Sequence, residues 1–114
     1  QFPLTLPRVA KAAYSNTYLG YNGVPPMPVF GYKAIEDRLA MVEVTDLLFE
    51  RYCEVGANVL YERNTVGGHV AEIINGAPRS VNWLASIFKG TYNLTSGCLF
   101  RNVTVNITSA PDTF

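Results

Sequence analysis

Two short apolar runs alternating with two helical patterns constrain this chain more than any other feature. The first run is Met27-Pro28-Val29-Phe30-Gly31-Tyr32-Lys33-Ala34, with Pro only near its start, as a buried strand requires. Thr45 then reads as an N-cap followed by Asp46. Leu47, Leu48, Tyr52 and Val55 recur at helical spacing, Val44 extends that face, and Gly56 supplies the stop. Asn58 to Glu62 reads as a second strand, and Arg63 to Gly68 as a loop able to turn sharply. After His69 come Val70 to Ile74, a break at Asn75-Gly76-Ala77-Pro78, and a last helix ended by Gly90. In that helix Val81, Leu84, Ala85 and Phe88 form one apolar face, and Trp83 and Ile87 a second. A helix apolar on two sides is expected to be buried on two sides. The order strand, helix, strand, helix implies an α/β fold with parallel strands joined by right-handed crossovers.

Two strands do not make a sheet. A parallel sheet needs both faces covered and several neighbours, so the remaining strands are expected from another polypeptide or an upstream region. Composition agrees: 48% of the 114 residues are hydrophobic and 16% charged, an apolar balance for a domain this small, which suggests a partner over one side. Nine Lys plus Arg balance nine Asp plus Glu and are scattered along the chain, so nucleic acid and anionic membrane surfaces are poor partners. No apolar run reaches the ~18 residues a spanning helix needs.

The chain divides into three parts. Residues 1–26 hold four of the seven prolines and are expected to be irregular, with one short helix near Val9 to Ala13. Residues 27–92 carry the strands and helices, and residues 93–114 form a polar tail. That tail contains three glycosylation sequons, at Asn93, Asn102 and Asn106, which together with exactly two cysteines point to a secreted, glycosylated protein. Gln1-Phe2-Pro3-Leu4-Thr5-Leu6-Pro7 is not a signal peptide, so the expectation is a chain trimmed from a longer precursor or a mature product.

In parallel α/β sheets the reactive groups gather outside the carboxyl ends of the strands. Asp37 and His69 each follow one of the two strands, acid before base, and His69 is the sole histidine. That is the second half of the order Ser, Asp, His seen in α/β-hydrolases, where the acid fixes the imidazole tautomer and supports the imidazolium. Against it stand the commoner roles of such residues: an acid after a strand caps or turns the chain, and a lone histidine is often structural. No Gly-x-Ser-x-Gly elbow occurs. Ser15, Ser80, Ser86, Ser96 and Ser109 read as cap, helix-surface or loop residues. Two cysteines and one histidine lack metal-ligand spacing, and no cofactor motif is present.

These residues carry a resemblance. The apolar strand leading to Asp37, the segment Cys53-Glu54-Val55-Gly56-Ala57-Asn58-Val59, the Gly68-His69 pair and the ending Trp83-Leu84 to Phe88-Lys89-Gly90 resemble the C-terminal region of the fungal secretory lipase family, the Candida antarctica lipase A type. The likeness covers Pro28 to Gly90. It departs where Arg38-Leu39-Ala40-Met41-Val42 lacks the Pro that the family tends to show after the acid. The resemblance implies the C-terminal part of an α/β-hydrolase, with Asp37 as triad acid, His69 as triad base and no cofactor. The serine would lie on an upstream polypeptide of the same precursor. Hydrophobic esters, met in solution or at a lipid–water interface, would be the substrates.

The resemblance also favours pairing Cys53 with Cys98, a bridge that would close a loop of about 45 residues and contribute roughly 4 kcal/mol. Bridges to the missing portion and two buried thiols are the alternatives. Tyr14, Tyr18, Tyr21 and Phe30 could line a pocket, although packing is the commoner role of such residues. Two other functions share these features: a peptidase or amidase on the same fold, and a noncatalytic secreted domain that binds a partner.

Overall fold

The computed structural model describes residues 25–92 and 97–107, which form three strands and two helices. In chain order they are β1 (Val29–Ala34), α1 (Val42–Glu54), β2 (Val59–Asn64), α2 (His69–Lys89) and β3 (Cys98–Val103). The strands are parallel, ordered β1-β2-β3, and in level register, Ala34 beside Asn64 and Asn64 beside Val103. The expected α/β class is therefore observed, with one strand more than the sequence suggested. β3 lies in the segment read as a polar tail. As an edge strand it is largely exposed, and its Arg101 and Asn102 are polar, so it lacks the apolar run that marks a buried strand. The expected irregular segment, its short helix and Tyr14, Tyr18 and Tyr21 lie outside the described residues.

Alternate residues of the strands meet different helices. Gly31 and Tyr61, register partners, face α1: the Phe49 ring lies tilted at 4.5 Å from the Tyr61 ring and comes so close to Gly31 that a Cβ there would collide with it. Ala57 and Val59 complete this cluster, with Val29, Tyr52 and Cys53 at its edge. The Tyr61 hydroxyl donates to Asp46 at 2.8 Å, and burial together with this carboxylate pushes the phenol above its ordinary pKa, keeping it a donor. Phe30 and Tyr32 face the opposite way, onto α2: Trp83 stacks on Phe30 at 5.6 Å, and Tyr32 packs against Gly76, where a side chain would have no room. A same-direction walk across the sheet with helices on opposite faces makes the two crossovers opposite in hand. The right-handed expectation can hold for only one of them.

Several boundaries differ from those the sequence suggested. α1 begins at Val42, ahead of Thr45, because Asp37 turns the chain by accepting the N–H groups of Leu39 and Ala40, both at 2.9 Å. Its inward residues are Val42 and Phe49, whereas Val44, Leu47 and Val55 are exposed. β2 runs two residues past Glu62, since Arg63 and Asn64 find partners inside the sheet. α2 is one helix of 21 residues through the expected break. Pro78 removes one rung of its ladder, and the Arg79 guanidinium donates to the Asn75 carbonyl at 2.6 Å beside the gap. Asn75 and Gly76 are both buried, so they are breaker-type residues used for packing. Gly90 does end α2, in the left-handed conformation at φ 71°.

α2 is buried on one side only among the described residues. Val70, Ile73, Val81, Leu84 and Phe88 form an exposed stripe, with Phe88 82% exposed. Cys53, in the last turn of α1, is bridged to Cys98 at the start of β3, with the Cα atoms 6.1 Å apart. The bridge fastens the edge strand to the helix behind it. Among the described residues no helix is long and apolar enough to cross a membrane.

Candidate active site

Level strand ends put the segments after β1 and β2 side by side. Asp37 lies three residues beyond β1, and His69 is the first residue of α2, five beyond β2. His69 Nδ1 is 2.8 Å from Asp37 Oδ2. Asp37 is buried, 5% exposed, and every bond to its carboxylate comes from a donor: Leu39 and Ala40 N–H to Oδ1, and Lys33 Nζ at 2.8 Å to Oδ2 beside the imidazole. Burial alone would raise the Asp37 pKa. The Ala40 N–H, the Lys33 ammonium, the His69 ring and the Leu39 N–H outweigh it and hold the carboxyl well below the usual carboxylate range. An ionised carboxylate only accepts, so Nδ1 is the nitrogen that donates to Asp37, and in the neutral form of the ring the lone pair is on Nε2. The His69 side chain is 36% exposed, open enough to meet a reactant.

A second polar group, which the sequence did not reveal, fixes the helix that carries His69. Glu62 on β2 is 4% exposed and accepts from Arg79 Nε at 2.9 Å and from Arg101 Nη2 of β3 at 2.6 Å. Arg79 also bonds Glu72 at 2.9 Å, and Glu72 accepts from Asn64 Nδ2 at 2.7 Å. Asn64 in turn holds both the N–H and the carbonyl of Val105, while the Asn75 amide oxygen accepts from Ile107 N–H at 2.8 Å. The network therefore joins β2, α2, β3 and the chain after β3. Little in the sequence signals it, because Asn64 reads there as part of a loop and Asn75 as part of a break, and only the structure shows both to be buried.

Ser80 and Ser86 do not approach the imidazole. Each hydroxyl donates to a carbonyl one turn back on α2, and they lie roughly 16 and 25 Å along the helix from His69. Ser15, Ser96 and Ser109 lie outside the described residues. Asn102 is exposed on β3, its amide oxygen accepting from Arg63 Nε at 3.1 Å, and Asn106 is exposed beyond it, whereas Asn93 lies outside the described residues. Phe30 packs against Trp83 and Tyr32. Among the described residues no three His, Cys, Asp or Glu side chains come together as a metal-binding group requires.

A carboxylate and an imidazole hydrogen-bonded outside the carboxyl ends of adjacent parallel strands, with helices on both faces, fit part of a lipase-type α/β-hydrolase fold. The family model described as secretory lipase matches residues 6–96, and this chain belongs to that family. It is 50% identical over 90 residues to a probable trichothecene esterase of Stachybotrys chartarum, covering 78% of this chain. It is 42% identical over 105 residues to a trichothecene C-3 esterase of Fusarium sporotrichioides, covering 90%. With a lipase A of Arthroderma benhamiae it shares 33% identity over 77 residues, 68% of this chain. The matched regions are 19%, 24% and 16% of those relatives' own lengths, so the chain spans about a fifth of the proteins it resembles. No solved structure matches it.

Proposed function

We propose that this chain is the C-terminal portion of a secreted serine ester hydrolase, supplying the acid Asp37 and the base His69 to a serine on the preceding part of the polypeptide. The observation that carries the reading is the 2.8 Å contact between His69 Nδ1 and a buried, ionised Asp37 at the ends of adjacent strands. In this reading Nε2 takes the proton from the serine hydroxyl as its oxygen attacks the ester carbonyl, then returns it to the departing alcohol. Water repeats the sequence to release the acid, and Asp37 stabilises the imidazolium each time. The exposed apolar stripe of α2 supports a larger assembly, since contiguous apolar surface of this kind is normally covered. The relatives' greater length supports taking the serine-bearing part of the same polypeptide as the cover. In this reading the protein is extracellular, and Asn93, Asn102 and Asn106 carry glycans.

Two relatives are named as trichothecene esterases and a third as a lipase, so hydrophobic esters are the substrate class to test. The test uses a polypeptide of the relatives' length. A fluorophosphonate probe should label its serine, and His69→Ala should suppress that labelling by about a hundredfold or more, because the base is gone. Equal labelling of both proteins would refute the assignment. A panel of p-nitrophenyl butyrate, a triacylglycerol and a trichothecene C-3 ester would then rank the substrates.

A further inference from the structure

Asp37 Oδ2 accepts two bonds, one from His69 Nδ1 and one from Lys33 Nζ, each 2.8 Å long. The two nitrogens therefore lie no further apart than those two bonds laid end to end. The Lys33 side chain is 12% exposed, so water screens its charge poorly. The neighbouring charges are occupied elsewhere. Arg63, the register partner of Lys33 on β2, bonds Asp46 of α1 at 2.9 Å. Glu72, one turn into α2, bonds Arg79, and Glu36 and Arg38 beside Asp37 are exposed to water. Lys33 is thus the cation set directly against the Asp37–His69 pair.

We propose that Lys33 is a positioning residue for the pair: it shares the carboxylate oxygen with His69, keeps Asp37 anionic, and opposes a second positive charge on the imidazole. A catalytic base must be neutral to accept the serine proton. A fixed ammonium on the same oxygen disfavours the imidazolium by like-charge repulsion, so the base stays competent at lower pH. The same ammonium takes up part of the carboxylate's charge, so it weakens the support Asp37 gives to the imidazolium. The arrangement exchanges some strength of the base for tolerance of acid. The inference rests on Asp37 and His69 acting as triad acid and base.

The test is the pH dependence of kcat/KM for p-nitrophenyl butyrate in the serine-bearing polypeptide, for the parent, Lys33→Met, Lys33→Gln, Lys33→Arg and Asp37→Asn. Lys33→Met should move the midpoint of the acid limb up by about one pH unit, so that turnover well below the midpoint falls about tenfold relative to the parent. Lys33→Gln, which keeps a donor without the charge, should move it the same way and serves if the Met variant does not fold. Lys33→Arg should restore the parent midpoint. A purely structural lysine would lower activity equally at every pH and leave the midpoint in place, and that result overturns the proposal. Unmoved midpoints in Met and Gln variants alongside a collapse in Asp37→Asn would overturn the role of Lys33 alone. Undiminished turnover in Asp37→Asn would overturn the triad reading and this inference with it.

Discussion

On the face of the sheet that meets α1, Phe49, Ala57, Val59 and Tyr61 pack as an apolar cluster, whereas on the face that meets α2 the buried residues include Glu62, Asn64, Glu72 and Asn75. Apolar contact is non-directional, so the directional ties of α1 to the sheet are the bonds of Tyr61 and Arg63 to the single carboxylate of Asp46 and the Cys53–Cys98 bridge. Bonds among Glu62, Arg79, Glu72 and Asn64 have fixed lengths and directions and admit one placement. The difference falls where the proposed chemistry would need it. α1 carries the Cys53 bridge and no member of the candidate pair, while α2 begins with His69, whose ring meets Asp37 at 2.8 Å.

Removing the centre of the polar face should have the largest effect. Arg79→Met leaves the Glu62 and Glu72 carboxylates short of a buried partner, and should destabilise the protein by about 3–5 kcal/mol in urea unfolding of the serine-bearing polypeptide. A loss below about 1 kcal/mol would mean that Arg101 and water satisfy the carboxylates, and that the contrast between the faces is overstated. The apolar face should yield less. Gly31→Ala drives a methyl group into the Phe49 ring and should cost about 1–3 kcal/mol, with turnover per folded molecule unchanged because neither Asp37 nor His69 moves. If Gly31→Ala instead lowers turnover more than stability, the α1 face also positions the site, and the division between faces fails.

The sequence made the candidate site more legible than the frame around it. Asp37 and His69 could be found because a parallel sheet collects functional groups at its strand ends, and two apolar runs marked where those ends fall. β3 was hidden because an edge strand needs little apolar surface: Leu99 and Phe100 stay exposed, and Arg101 faces Glu62. The unbroken course of α2 was hidden for a different reason. Asn75, Gly76 and Pro78 are what a turn would contain, yet Asn75 bonds Ile107 and Gly76 makes room for Tyr32, which are contacts with residues far away in the chain. Thr45 has the chemistry of an N-cap, but the bonds from Asp37 to Leu39 and Ala40 turn the chain earlier. Nothing in the spacing of Lys33 distinguished it from any other residue near the end of a strand.

The proposed role of Asp37 is to orient His69 and stabilise the imidazolium that forms on it, and the steady-state turnover of Asp37→Asn in the serine-bearing polypeptide measures that most directly. An amide cannot hold the Nδ1-protonated tautomer as an ionised carboxylate does. Asp37→Asn should therefore lower kcat against p-nitrophenyl butyrate by about four orders of magnitude, with the protein still folded. A fall of less than about tenfold would contradict that role, leaving Asp37 as the residue that turns the chain into α1 and no more.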